Sequence, residues 1–350
     1  MLLVSASQSI HATISYFAKR KVILLRTPSK VFKWFALAMV GLFLSGCGNL
    51  TVLDPQGPVA EQQSDLIMLS IWFMIFIVLV VFVLLTVMIV KYRDRGNNDN
   101  YDPSIEGSHK LEFVWTIIPI IIVTILSVPT VITIYNLEEA PEVAEGSVQV
   151  DPLVIHATSV NWKWIFSYPE ENIETVNYVN IPVDRPVQFK LTSADSMASF
   201  WVPQLGGQKY SMSGMETELF LMANEPGTYN GRNANFTGEG FTEQRFLVNA
   251  VTDESYDSWV EEVQAEAPPL SEEEYAHLMV PGHAEEMTFS STHLEFVNHA
   301  YDPTYALEKS AELGYEPLNP HSREGKAYEM PKLTQPIDTS RTYKVELDDE

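Results

Sequence analysis

LIMLSIWFMIFIVLVVFVLLTVMIV, residues 66–90, and FVWTIIPIIIVTILSVPTVITIY, residues 113–135, decide the architecture: neither stretch holds a charged side chain. As helices they reach about 37 and 34 Å at roughly 1.5 Å per residue, enough for a hydrocarbon core of about 30 Å. Pro119 and Pro129 lie inside the second run, and spanning helices tolerate proline better than soluble ones do. Lys91, Arg93, Arg95 and Lys110 fall between the runs, whereas 47–70 and 136–162 contain no Lys or Arg. The excess of positive charge places the loop 91–112 in the cytoplasm and both flanks outside.

Upstream, residues 1–33 carry Lys19, Arg20, Lys21, Arg26, Lys30 and Lys33 and no acidic residue; an apolar run 34–43 and then LSGC, 44–47, follow. A basic segment, a short apolar one and small residues make a secretory signal. Its ending resembles a bacterial lipoprotein signal, which implies cleavage before Cys47 and a diacylglyceryl group on that thiol. A stray cysteine after an ordinary signal is the alternative, and the position of Cys47 in the box decides against it. Residues 1–25 exceed what a signal needs, which allows a start further downstream. An anchored Cys47 must lie outside, in agreement with the charge asymmetry.

The 350 residues include one cysteine and carry a net charge of −24. One thiol forbids an intramolecular disulfide, a zinc finger, an iron–sulfur cluster and any copper site built on two thiolates. The acidity lies in the exported part, where residues 136–350 hold 12 Lys and Arg against 38 Asp and Glu. Such a surface disfavours nucleic acid and suits a salty or alkaline exterior.

Residues 136–149 read as a linker, and 150–252 as short strands with turns. LVIHA (153–157) is a buried run; Trp162, Trp164 and Phe166 alternate with Lys163, Ile165 and Ser167; Val187, Phe189 and Leu191 alternate with Gln188 and Lys190; 218–222 and 245–251 are further strands. DRP (184–186), EPG (225–227) and GEG (238–240) supply turns. The pattern predicts an antiparallel β-sandwich. After it come helices over 253–265, 271–279 and 306–313, the first two capped by Asp253 and Ser271. They form an extension, 253–325, before a polar, disordered tail, 326–350.

The order of lipobox, helical hairpin and exported β-domain resembles subunit II of the haem–copper terminal oxidases. EFVWTIIP (112–119) resembles the start of that subunit's second helix, NWKW (161–164) its aromatic segment and SFWVP (199–203) its next signature; EPGTY (225–229) precedes the stretch where copper would bind. The likeness covers roughly 44–252. It implies a cupredoxin-like Greek-key β-sandwich. In the cytochrome c oxidase branch that domain holds a dinuclear copper centre with two Cys, two His, a Met and a backbone carbonyl. Aligned on that pattern, this chain has Ala198 at the first His position, Asn233 and Thr237 at the two Cys positions, Asn235 at the Glu position, Phe241 at the second His position and Gln244 at the Met position. Every side-chain ligand is replaced. That departure marks the quinol oxidase branch, and the details look most like the aa3-type menaquinol oxidases of Gram-positive bacteria, with bo3-type ubiquinol oxidases next.

The resemblance further implies that Glu112 sits at the entrance of a proton path, against the alternative of a solvated acid at a helix end. Trp162 and Trp164, two apart and so expected on one sheet face, together with Trp201 become residues for packing and docking on subunit I. His156, His283, His293 and His299 have spacings that fit no compact metal site. The expected protein is subunit II of a proton-pumping quinol oxidase in a bacterial cell membrane, with no catalytic residue, haem or copper of its own. The haems and one copper belong to subunit I. Its partners are subunit I, the other oxidase subunits, membrane lipid and a membrane quinol (menaquinol before ubiquinol), and neither cytochrome c nor nucleic acid. The rival is a free-standing membrane lipoprotein with a binding module, such as a sensor or chaperone, which would not need the motif at 112–119.

Overall fold

A computed structural model describes residues 50–93, 107–142 and 151–315. The expected signal and Cys47, most of the loop between the two apolar runs, most of the expected linker and the tail 326–350 lie outside the described residues.

The two apolar runs form α1 (Pro58–Lys91) and α2 (His109–Asn136). Their lipid-length middle portions are bare of covering protein, as an apolar helix needing lipid or a partner would be. The hydroxyls inside them are satisfied locally: Thr86, Thr116, Thr124, Ser127 and Thr130 donate to the carbonyls four residues back at 2.7–2.8 Å. An unpaired hydroxyl in hydrocarbon would be costly, so this local bonding makes the sequence compatible with a span.

α1 starts eight residues before the uncharged run because Pro58 opens it, with φ already set for a first turn. These early turns leave the membrane segment and pack on the exported domain. Val59 and Ala60 are buried, Gln56 N–H donates to Gln204 O (2.8 Å) and Asn224 N–H donates to Gln56 O (2.9 Å). Gly57 passes so close to the domain that a Cβ would lie 1.9 Å from the Met222 carbonyl oxygen. At the other end of the hairpin Leu137 packs on the same core.

The domain is a sandwich of eleven strands. β1 (Leu153–Val160), β2 (Lys163–Tyr168), β3 (Ile173–Val176), β5 (Val187–Ser193), β8 (Thr217–Leu221) and β11 (Met287–Phe289) make one sheet in the order β11-β3-β2-β1-β5-β8. β4 (Tyr178–Pro182), β6 (Ala198–Trp201), β7 (Lys209–Ser211), β9 (Gly227–Asn233) and β10 (Arg245–Val251) make the other, in the order β4-β10-β9-β6-β7. The expectation of an antiparallel sandwich needs correction: β1–β5 and β4–β10 run parallel. A parallel pair needs a crossover rather than a hairpin, and here the intervening chain supplies it by pairing elsewhere.

Trp164, Phe166, Phe189, Phe200 and Phe246 fill the space between the sheets, with Phe200 4.9–6.3 Å from each of the other four ring centres. The alternation in β2 thus points Trp164 and Phe166 inward as read. The opposite face is not left to water, because every residue of β2 is buried. The extension covers it. α3 (Asp253–Glu266) sets Tyr256, Trp259 and Val263 into the main core. α4 (Glu272–Leu278), β11 and α5 (Tyr305–Glu312) form a second core with Val160, Ile165 and Val176. The extension is therefore not helical throughout: β11 joins the first sheet beside β3. The cap of α3 is Thr252, whose hydroxyl accepts from Ser255 N–H, so Asp253 is the first helical residue. Ser271 caps α4 in a capping box with Glu274.

Candidate functional site

The six positions aligned with copper ligands gather at one pole, where β6, β9 and the loop to β10 meet. Ala198 and Gln244 are buried, and Asn233 is 3% exposed. Asn233 Nδ2 donates to Gln244 Oε1 (2.7 Å) and Thr237 Oγ1 (3.2 Å). Its Oδ1 accepts from the N–H groups of Ser199 (2.8 Å) and Asn235 (2.9 Å). Gln244 Nε2 donates to Ser159 Oγ (2.9 Å) and the Lys163 carbonyl (3.4 Å). Asn235 Nδ2 donates to Met197 O (2.7 Å). An amide has two donors and one oxygen acceptor, and both buried amides have all of them engaged. Thiolate and imidazole are absent from these positions, so the side chains present do not fit a copper pair. Among the described residues no group of three or more His, Cys, Asp and Glu could hold a metal ion.

Trp162 sits in the turn before β2 with φ of 70°, so it does not share a strand face with Trp164. Its indole N–H donates to Thr237 O (3.0 Å), and its ring lies on Gly240, where a Cβ would come within 2.4 Å. Trp164 is fully buried, with its ring edge-on to Phe200 and Phe246. It is a core residue and offers no docking surface. Trp201 is partly exposed and carries the Arg232 guanidinium 4.6 Å above its ring, a cation–π pair.

Three residues that sequence reasoning passed over belong to this region. Ser159 closes the amide network from 85 residues away. Lys163, fully buried, donates from Nζ to the carbonyls of Asn161 (3.2 Å), Val280 (2.8 Å) and Gly282 (3.0 Å). Glu174, on the far side of the same sheet face, takes His293 Nδ1 at 2.8 Å and Ser167 Oγ at 2.9 Å. No local signal marks them, because each bonds to at least one element more than 80 residues away.

Burial pushes the Lys163 ammonium down from 10.5 to about 7, against the opposing pull of Asp195. A lysine whose folded value is depressed binds fewer protons folded than unfolded between those limits, so stability rises with pH there. Unfolding free energy of the full chain in detergent should climb from pH 7 towards 10 by up to about 1.4 kcal/mol per pH unit. Denaturant titrations at several pH values should show that slope, and Lys163→Met should remove it.

At the other end of the hairpin Glu112 lies in the first turn of α2, half-exposed, with Oε2 3.1 Å from His109 Nδ1. A carboxylate there is favoured by the helix N-terminus. It lies far along α2 from the pole, and the fold does not bring the two together.

A family model for the cytochrome c oxidase subunit II transmembrane domain matches residues 47–132, and one for the periplasmic domain of that subunit matches 169–251. The chain is 61% identical to "Quinol oxidase subunit 2" of Bacillus spizizenii over 290 residues, 82% of this chain and 89% of that protein. It is 52% identical to the protein of the same name from Bacillus cereus, covering 73% of this chain and 88% of the other. It is 48% identical to "Probable quinol oxidase subunit 2" of Staphylococcus saprophyticus, covering 75% and 69%.

Proposed function

This chain belongs to the quinol oxidase subunit 2 family of the haem–copper oxidases, and from that membership we propose how it works without a redox centre. The protein is a membrane subunit of a terminal oxidoreductase complex, with two spanning helices and a cupredoxin-like domain. The complex oxidises quinol and passes the electrons to dioxygen, giving quinone and water. The observation that carries the reading is the saturated Asn233–Gln244–Thr237–Ser159 network in place of copper ligands. With no acceptor at the pole, electrons reach subunit I from membrane quinol directly, and cytochrome c has no role. Menaquinol is the favoured donor. Cys47 carries the lipid anchor, and Trp162 and Trp201 contribute to docking on subunit I. A free-standing lipoprotein module is not favoured, because the likeness to quinol oxidase subunits runs through the hairpin as well as the domain.

Glu112 takes up protons for the complex at the cytoplasmic end of α2. Its accessible carboxylate, partnered by His109, supports that role. Glu112→Gln keeps the shape and removes the titration. Turnover of the assembled oxidase and its proton uptake should both fall about tenfold, a barrier increase of ~1.4 kcal/mol. Unchanged turnover and uptake would make Glu112 a solvated helix-end acid.

A further inference from the structure

The two-residue turn between β1 and β2 puts Asn161 and Trp162 at positive φ, 42° and 70°, as a tight hairpin requires; asparagine tolerates this, but a bulky tryptophan seldom does without support from its surroundings. The segment joining α4 to β11 does so. Met279 O accepts from Asn161 Nδ2 (2.6 Å), and Lys163 Nζ donates to Val280 O and Gly282 O. Ser310 Oγ from α5 ties the same Met279 carbonyl (2.9 Å), and Asn177 Nδ2 ties Ala284 O (2.7 Å). The opposite side of the turn bears on the pole. The Trp162 ring and indole N–H lie on Thr237 and Gly240, and the Lys163 carbonyl accepts from Gln244. His283 reaches the pole directly: its Nε2 is 2.9 Å from Glu243, and its ring lies 6.3 Å from Trp162. Neither family model reaches beyond residue 251.

We propose that segment 279–284 of the extension is a clamp that sets the pole: it holds the left-handed turn 161–163, and that turn seats Trp162 and closes the amide network around Gln244. The pole, which has no metal bonds to order it, is ordered from the back of the sheet. Lys163 and Trp162 are positioning residues in this arrangement. The clamp stands whether or not the docking and proton roles of this subunit hold.

The test is amide hydrogen exchange by mass spectrometry on the full chain in detergent. Lys163→Met removes the ammonium from its three carbonyls and keeps an unbranched side chain as far as Cε. Exchange of amides 234–243 should accelerate about tenfold or more, while the β1–β5–β8 ladder at 187–193 stays protected. Acceleration at 279–284 with none at 234–243 would overturn the proposal, since the grip would then not be transmitted. If Lys163→Met loses protection everywhere, His283→Ala tests the same link from the extension's side. A smaller acceleration confined to 234–243 and 279–284 is expected, and an unchanged 234–243 would overturn the clamp.

Discussion

Glu174→Ala should destabilise the chain by about 3–5 kcal/mol, from about 1–3 kcal/mol for each buried group that loses its partner. Glu174 is fully buried and His293 is 1% exposed. The Glu174 carboxylate accepts from Ser167 Oγ at 2.9 Å, from the His293 backbone N–H at 2.9 Å and faces His293 Nδ1 at 2.8 Å. Alanine would leave the His293 backbone N–H without an acceptor in a dry core and take from Ser167 Oγ and His293 Nδ1, 3.2 Å apart, the carboxylate they share, at a desolvation cost for each group left unpaired. The ring of His293 also stacks on Tyr275, 4.4 Å between centres, and Tyr275 hydrogen-bonds His299 at 2.6 Å. Burial, followed by the neighbouring His293, holds His299 down to about 3, so it remains a neutral partner and cannot compensate. Glu174 lies on β3 of the sandwich and His293 lies in the extension. The variant should therefore loosen 287–299 before the sandwich unfolds. Denaturant unfolding gives the total cost and amide exchange the order. A loss under about 1 kcal/mol would mean that the pair contributes no more than a surface contact does.

Phe200→Ala should cost a similar 3–5 kcal/mol, by lost apolar transfer and an unfilled cavity. Phe200 is fully buried and stacks on Phe246 at 4.9 Å, with Phe189 tilted against it at 5.0 Å and Trp164 edge-on at 5.3 Å. From β6 of one sheet it reaches Phe246 of its own sheet and Phe189, Trp164 and Phe166 of the other. Phe200→Leu should lose less, because more of the volume is kept. The melting temperature of the purified chain reads both. Equal costs for alanine and leucine would show that the cavity is not what the ring prevents. The result bears on the meaning of the stretch SFWVP: its phenylalanine serves packing, and only the neighbouring Trp201 has surface to offer a partner.

The hairpin was legible because charge is forbidden in lipid and its absence over 66–90 is unmistakable. The inward face of β2 was legible because Trp164 and Phe166 repeat with the pleat. The departure from the copper-ligand pattern was read from residue type, since Asn233, Thr237 and Gln244 align where that pattern has Cys, Cys and Met. Parallel pairing was not legible, since residue pattern does not report which neighbour a strand chooses. β11 has three residues, too few for a period. The burial of the outer face of β2 was not legible for a physical reason: Lys163 and Ser167 are polar, and it is the extension that covers them. The closed network at the pole joins Ser159 to Gln244 across the whole domain, and no local pattern encodes such a bond.

This chain serves a quinol-fed oxidase, with no copper relay built from its own side chains. Affinity capture of the chain from native membranes in mild detergent tests it, followed by the haem spectrum and by oxygen uptake with a quinol and with reduced cytochrome c. A haem-containing subunit I should be captured with the chain, and oxygen should be consumed with quinol and not with cytochrome c. Capture without haem, or oxygen uptake driven by cytochrome c, would contradict it.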